Sequence, residues 1–263
     1  MKIKYLVFSI LLLLTFTGCS TNELNNPDKQ QATLTSDLQE EDEFADFEDE
    51  YKEEIKSQNP FEQYNIVMTN FNDGFYEYVY DPIVQGYRKI VPNTKGSLIN
   101  NTFQNLMFPI RFVNNILQLK FANAAEETQR FLINSTLGVV GLFDIAKDEY
   151  GLKAHNEDFG QTLGYWGVGS GYHIVLPLFG PSNIRDTFSM YPDSIANPIA
   201  YSEKTPYNLT NNPAQSLTIT TYQRINAGSL QVGEYEELKK EAIKLYPFLR
   251  DVYEQHRQQQ IEE

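Results

Sequence analysis

Cysteine is nearly absent: Cys19 is the only one in 263 residues, so no disulfide can form within the chain. Histidine is almost as scarce, with His155, His173 and His256 the only imidazoles. After the first 18 residues, no apolar run reaches the length of about 18 that an ordinary membrane-crossing helix needs. Positive charge is also short. Lys and Arg number 21 against 35 Asp and Glu, and the resulting net charge of −14 disfavours nucleic acid as a partner. No Walker lysine pattern, no G-x-S-x-G elbow and no strand-preceded G-x-G-x-x-G occurs, so nucleotide use and serine hydrolysis lack their frames.

The amino terminus is the first positive signal. Lys2 and Lys4 precede an apolar run from Tyr5 to Phe16, the pattern of an export signal over 1–18. It closes on Phe16-Thr17-Gly18-Cys19, which resembles a bacterial lipobox and marks Cys19 as the lipidation site. Each buried acyl CH₂ contributes roughly 0.8 kcal/mol, so more than one chain gives a stable anchor. Ser20 and Thr21 follow with no Asp beside the Cys, a pattern that by resemblance to lipoprotein sorting implies the outer membrane of a Gram-negative cell. Residues 19–57 then carry Glu40-Glu41-Asp42-Glu43 and Glu48-Asp49-Glu50 among polar residues, the composition of a disordered acidic tether.

Residues 58–263 are long enough for one domain with its own core. Asn59-Pro60-Phe61-Glu62 is a helix start, and Phe61, Tyr64, Met68, Phe71, Phe75 and Tyr78 follow as one aromatic stripe at helical spacing. Asp81-Pro82 predicts a fresh helix carrying Ile83, Val84, Tyr87 and Ile90, ended by Pro92. Further helices are expected over 94–107, with Leu98, Phe103, Leu106 and Met107 inward, and from Pro109 through Leu119. The latter is apolar around most of its circumference, which means burial on several sides or contact with lipid. A helix over 123–137, one capped by Ser182 or Asn183, one restarting at Asn212-Pro213 and a charged carboxy-terminal helix broken near Pro247 complete a mainly α class.

From His155 to Asp186 the chain lacks a helical period and spaces Gly160, Gly164, Gly167, Gly169, Gly171 and Gly180 among aromatics, including the only Trp. A short β-prone run, Ile174-Val175-Leu176, sits inside it, so the segment reads as a glycine-hinged extended hairpin. His155-Asn156-Glu157-Asp158 could hold a metal or an acid–base pair, but a helix start capped by Asn156 explains the same residues better. Ser170 sits between two glycines without an elbow around it. Arg88, Lys89, Arg111, Lys120 and Arg130 are scattered. Of these, Arg88 and Arg130 lie in apolar helices where a cation could attract phosphate, although pairing with an acid is the stronger reading. Arg185-Asp186 is a local ion pair at a helix start.

Several motifs in series resemble the MlaA (VacJ) family of outer-membrane lipoproteins. They are Asn59-Pro-Phe-Glu-Gln-Tyr-Asn, Phe71-Asn-Asp, Tyr87-Arg-Lys-Ile-Val-Pro, Phe112-Val-Asn-Asn-Ile-Leu-Gln, Arg130-Phe-Leu-Ile-Asn-Ser-Thr-Leu-Gly, Gly141-Leu-Phe-Asp and the stretch 155–186. The resemblance runs from about 59 to 190 and weakens toward the carboxy terminus; the acidic tether lies outside it. It implies a ring-like arrangement of amphipathic helices beside a trimeric outer-membrane porin. Phospholipids would pass through an amphipathic channel to a soluble periplasmic lipid carrier of the Mla pathway, keeping the two leaflets distinct. It also implies a gating hairpin hinged at Gly167 and Gly169, with Gly171 adjoining. No cofactor, metal or catalysis is implied. Two other readings stay open: a lipoprotein that only docks on an outer-membrane partner, and a phospholipase that would need Ser170, His155 or His173.

Overall fold

The computed structural model describes residues 59–201 and 208–263; the signal, Cys19 and the tether fall outside the described residues. The first helix, α1 (Glu62–Phe75), opens where Asn59 Oδ1 accepts from the Phe61 backbone N–H at 2.9 Å. It does not stop before Asp81-Pro82. A π-helical turn, Tyr76–Tyr80, carries it directly into α2 (Asp81–Ile90). Asp81 is therefore helical rather than a cap, and the wide π turn before Pro82 accommodates its ring and the helical bond its missing N–H cannot make.

Helices α3 (Asn93–Leu106), α4 (Phe108–Leu117) and α5 (Phe121–Thr136) follow, with Pro109 in the first turn of α4. A single helical turn, α6 (Ile145–Asp148), precedes α7 (Phe159–Tyr165). The helix start expected at Asn156 is present but begins later, at Phe159. Its cap is Asp158, whose side chain accepts from Gln161 N–H, and not Asn156. Strands β1 (His173–Leu176) and β2 (Gly180–Asn183) pair antiparallel, with His173 opposite Asn183 and Leu176 opposite Gly180. Asn183 then caps α8 (Ile184–Ala196) through Asp186 N–H, and Asn212 caps α9 (Pro213–Leu230) through Gln215 N–H. The last two helices are α10 (Glu234–Glu241) and α11 (Leu245–Glu262); their break at 242–244 leaves Pro247 in the first turn of α11.

Helix α4 packs on α5, α7 on α8, and α9 on α2 and α3, while α11 closes against α7, β2 and α1. The polarity of these packed faces is inverted. Among the described residues, 23 polar or charged residues are buried against 7 apolar ones. The aromatic stripe, whose spacing left core packing and lipid contact both open, points largely outward: Phe71 is 51% and Tyr78 76% exposed, while Asn65 and Thr69 are the buried residues of α1. The same holds in α4, where Arg111, Asn114 and Asn115 face in and Val113 and Leu117 face out. Of the residues expected inward on α3, Phe103 is buried and Leu98, Leu106 and Met107 are partly covered. No helix among the described residues is long and apolar enough to cross a membrane.

Candidate functional site

Two amides on the inner face of α1 hold the hairpin. Asn65 Nδ2 donates to the His173 carbonyl at 2.9 Å, and its Oδ1 accepts from Val175 N–H at 2.8 Å. Two helical turns further on, Asn72 Nδ2 donates to the Leu176 carbonyl and its Oδ1 accepts from Leu178 N–H. Leu178 sits at φ +65, a conformation that side chains resist, and the Asn72 contacts keep it there. At the other end Glu254 of α11 bridges the facing pair, its Oε1 3.0 Å from His173 Nδ1 and its Oε2 accepting from Asn183 Nδ2.

Beside this hairpin lies a cavity of about 380 Å³ lined by α1, the π turn, the hairpin tip and α9. Its walls include Phe75, Tyr76, Tyr80 and Leu178, and its one cation among the lining residues is Arg224, 4.4 Å from the centre of the Phe179 ring. Tyr80 Oη donates to the Arg224 carbonyl at 2.8 Å, fixing α9 against the π turn. Burial, then the charge of Glu236, pushes the Tyr76 hydroxyl up to about 12, so it stays neutral at physiological pH. The cavity joins apolar and aromatic walls to a cation stacked on a ring, a combination that suits an amphiphile.

The glycine-rich run is not itself the hairpin. It forms the approach from α7 into β1, since the strands begin only at His173. Gly167 and Gly171 adopt φ +82 and +70, whereas Gly169 lies in open space without a left-handed φ. Val168, Gly169 and Tyr172 are exposed, and Ser170 accepts from Arg185 N–H through its carbonyl. This short span thus has few neighbours, between a capped helix and a pinned hairpin.

A polar seam runs between α4, α5 and α7. Arg111 Nε donates to Glu127 Oε2 at 2.7 Å, and Lys120 Nζ pairs with Glu157 Oε1 at 2.7 Å. Gln118 donates to Glu157, and Thr162 donates to Asn114 Oδ1. A second network ties α11 in: Arg257 bridges Asp158 and Asp186, while Arg185 also donates to Asp186 at 2.9 Å. Burial raises the Asp186 carboxyl, but the bonds from Arg257 and Arg185 outweigh it and hold the group below its ordinary value. Arg130, one of the two sequence candidates for anion contact, pairs with Asp144 at 2.9 Å and donates to the Leu152 carbonyl. The other, Arg88, is exposed on α2. Far from being scattered, Arg111 and Arg130 line one chamber together.

The catalytic alternatives find no geometry. Ser170 Oγ contacts only the neighbouring Gly171 carbonyl at 3.4 Å, His155 Nε2 lies 3.0 Å from Glu126, and His173 is engaged by Glu254. No cluster able to hold a metal ion occurs among the described residues.

The profile of the MlaA lipoprotein family matches residues 57–260. The chain belongs to this family. An uncharacterized protein of Rickettsia prowazekii is 34% identical over 57% of this chain. The chain spans about 60% of the length of that relative. The intermembrane phospholipid transport system lipoprotein MlaA of Haemophilus influenzae is 28% identical over 73% of this chain and 70% of its own. A solved structure described as the structural basis for maintenance of bacterial outer membrane lipid asymmetry superposes with a TM-score of 0.66 at 26% identity. It covers 78% of this chain and 99% of its own length.

Sequence reasoning missed the inward polar residues of this MlaA-family fold. Their signal was present: Asn65, Thr69 and Asn72, and Arg111, Asn114, Asn115 and Gln118, recur at helical spacing within apolar helices. Attention to the apolar stripe, with its facing left open, passed over the polar stripe opposite it. Arg224 carried no such signal, because its position depends on α9 returning to the π turn.

Proposed function

We propose that this chain is an outer-membrane lipoprotein that removes mislocalised phospholipids from the outer leaflet and maintains lipid asymmetry. Its helices form a ring set among lipids, with an amphipathic path beside the hairpin. The inverted polarity carries this reading: apolar side chains cover the outside while charges and amides pack inside. A phospholipid moving between leaflets must take a charged headgroup through hydrocarbon, and each unsatisfied polar group there costs several kcal/mol. A polar interior walled by an apolar exterior lowers that barrier without breaking a bond, and family membership supports a role that is not enzymatic.

In this reading the hairpin cavity seats the lipid, Arg224 faces the phosphate and the glycine approach is the hinge of the gate. Gly167 and Gly169 supply the freedom and Gly171 the adjoining turn. Cys19 bears the lipid anchor, a trimeric porin stands beside the ring, and a soluble periplasmic lipid carrier receives the cargo. A lipoprotein that only docks on a partner would need neither the cavity nor its stacked cation. The test is outer-leaflet phospholipid in a deletion strain, with and without this chain. Restoration of normal levels is expected; an unchanged excess refutes the transport role.

A further inference from the structure

Apart from the hairpin cavity, a chamber of about 580 Å³ lies between α3, α5 and the segment 144–156. Four cationic side chains line it: Arg111, Arg130, Lys147 and Lys153. Asp144 is the one acid in its lining, and Glu127 is the acid paired with Arg111. Burial raises Asp144, but bonds from Asn134 and Arg130 outweigh it and keep the carboxylate ionised. Even so, the cations outnumber the acids, in a chain whose net charge is −14. Arg130 is only 8% exposed, and its Nε is buried with no hydrogen-bond partner. The amides of Asn100, Gln104 and Asn156 complete a polar lining. A concave, amide-lined wall in which one sign predominates focuses field and gathers anions.

We infer that this chamber binds a phosphate-bearing anion, the phosphodiester of a lipid headgroup or free phosphate, between the Arg130 guanidinium and the Lys147 and Lys153 ammonium groups. Arg130 is anchored by Asp144 and Leu152, so its guanidinium is fixed at the chamber wall before the ligand arrives. Lys147 and Lys153 are exposed and free to close on the anion from the solvent side. The inference deepens the lipid reading and rests on it, adding a second headgroup station to the hairpin cavity.

The test is ³¹P NMR titration of the full chain in nonionic detergent with inorganic phosphate and with short-chain dihexanoylphosphatidylglycerol. Saturable broadening of a ³¹P signal is expected. Lys147→Glu/Lys153→Glu should weaken binding by about tenfold, because two attractive charges become repulsive. Both positions are exposed, so circular dichroism should be unchanged, and Lys147→Gln/Lys153→Gln supplies a milder pair. An Arg224→Gln chain should retain this binding. A phosphodiester that displaces phosphate assigns the site to headgroups; phosphate binding alone assigns it to the free anion. Equal affinity in the original and both lysine pairs, or no saturable broadening, overturns the inference. If Gly169→Pro disturbs lipid asymmetry while the lysine pairs bind normally, the chamber falls and the lipid path stands.

Discussion

The α4–α5 seam and the glycine approach to the hairpin lie close in sequence yet are built on opposite terms. In the seam, Arg111–Glu127 is buried and Lys120–Glu157 largely so, each at 2.7 Å, and surrounding amides use much of the remaining bonding capacity. Buried pairs of this kind add little net stability but leave a stranded charge if one partner is lost. The glycine approach has exposed side chains, open space around Gly167 and Gly169, and no ion pair across it. The contrast separates a frame that must not move from a span that can. It also explains why a polar interior is tolerable: most of the frame's charges are paired within it rather than covered by an oily core.

The largest effect should come from breaking the frame. Glu127→Ala strands Arg111 and removes the acceptor of His155 N–H, and chemical denaturation should show a loss of about 3–5 kcal/mol. Next is the latch between frame and hairpin. Asn65→Ala removes two bonds to the strand backbone and orphans buried groups, so a loss of about 2 kcal/mol is expected, with faster amide exchange at Val175. An unchanged exchange rate there would show that the hairpin does not depend on α1.

A smaller effect falls on pH dependence. Asp193 accepts from Phe159 N–H and Asn114 Nδ2, and burial, reinforced by the charge of Asp158, raises its carboxyl to about 6. A raised folded value means the native state holds a proton that the unfolded chain has released. Its stabilisation is present below the ordinary 3.8 and is lost as pH rises through about 6. Asp193→Asn should flatten the stability profile across that window, read as melting temperature against pH. Asp186 works in the opposite sense: its lowered value gives stability present above the ordinary range and lost as pH falls.

The smallest stability effect should come from the glycine approach. Gly169→Pro meets open space and no left-handed φ, so it should shift denaturation by less than about 1 kcal/mol while raising outer-leaflet phospholipid. Gly167→Pro is a harsher change, because φ +82 is closed to proline and the Gly167 N–H bond to the Gly164 carbonyl is lost.

Helix positions were legible because caps are local. Asn183 and Asn212 announce their helices through side chains that meet N–H groups three residues on. The hairpin was legible from Ile174-Val175-Leu176, and a helix start before it from the acids at 157 and 158, but Gly160 and Gly164 break the apolar period that would fix its cap and length. Which face of each helix turns inward could not be read from periodicity. A stripe of Phe61, Tyr64 and Phe71 marks a boundary with something apolar, and only the surroundings decide whether that is a core or a membrane. The site was legible only in part: glycine spacing marked the exposed approach to the hairpin, whereas Arg224 and the Arg111–Arg130 chamber depend on contacts between distant segments.

The inverted polarity is tested most directly by spin labels placed at Leu132 and Val140, both exposed and apolar, and at Lys153 in the polar chamber, with the full chain in bilayers. Collision rates with oxygen, which concentrates in hydrocarbon, and with a water-soluble nickel complex report each environment. Labels at 132 and 140 should favour oxygen, and the label at 153 should favour nickel. Nickel-dominated collisions at all three positions would mean that the apolar exterior faces water, and would contradict a ring seated among lipids.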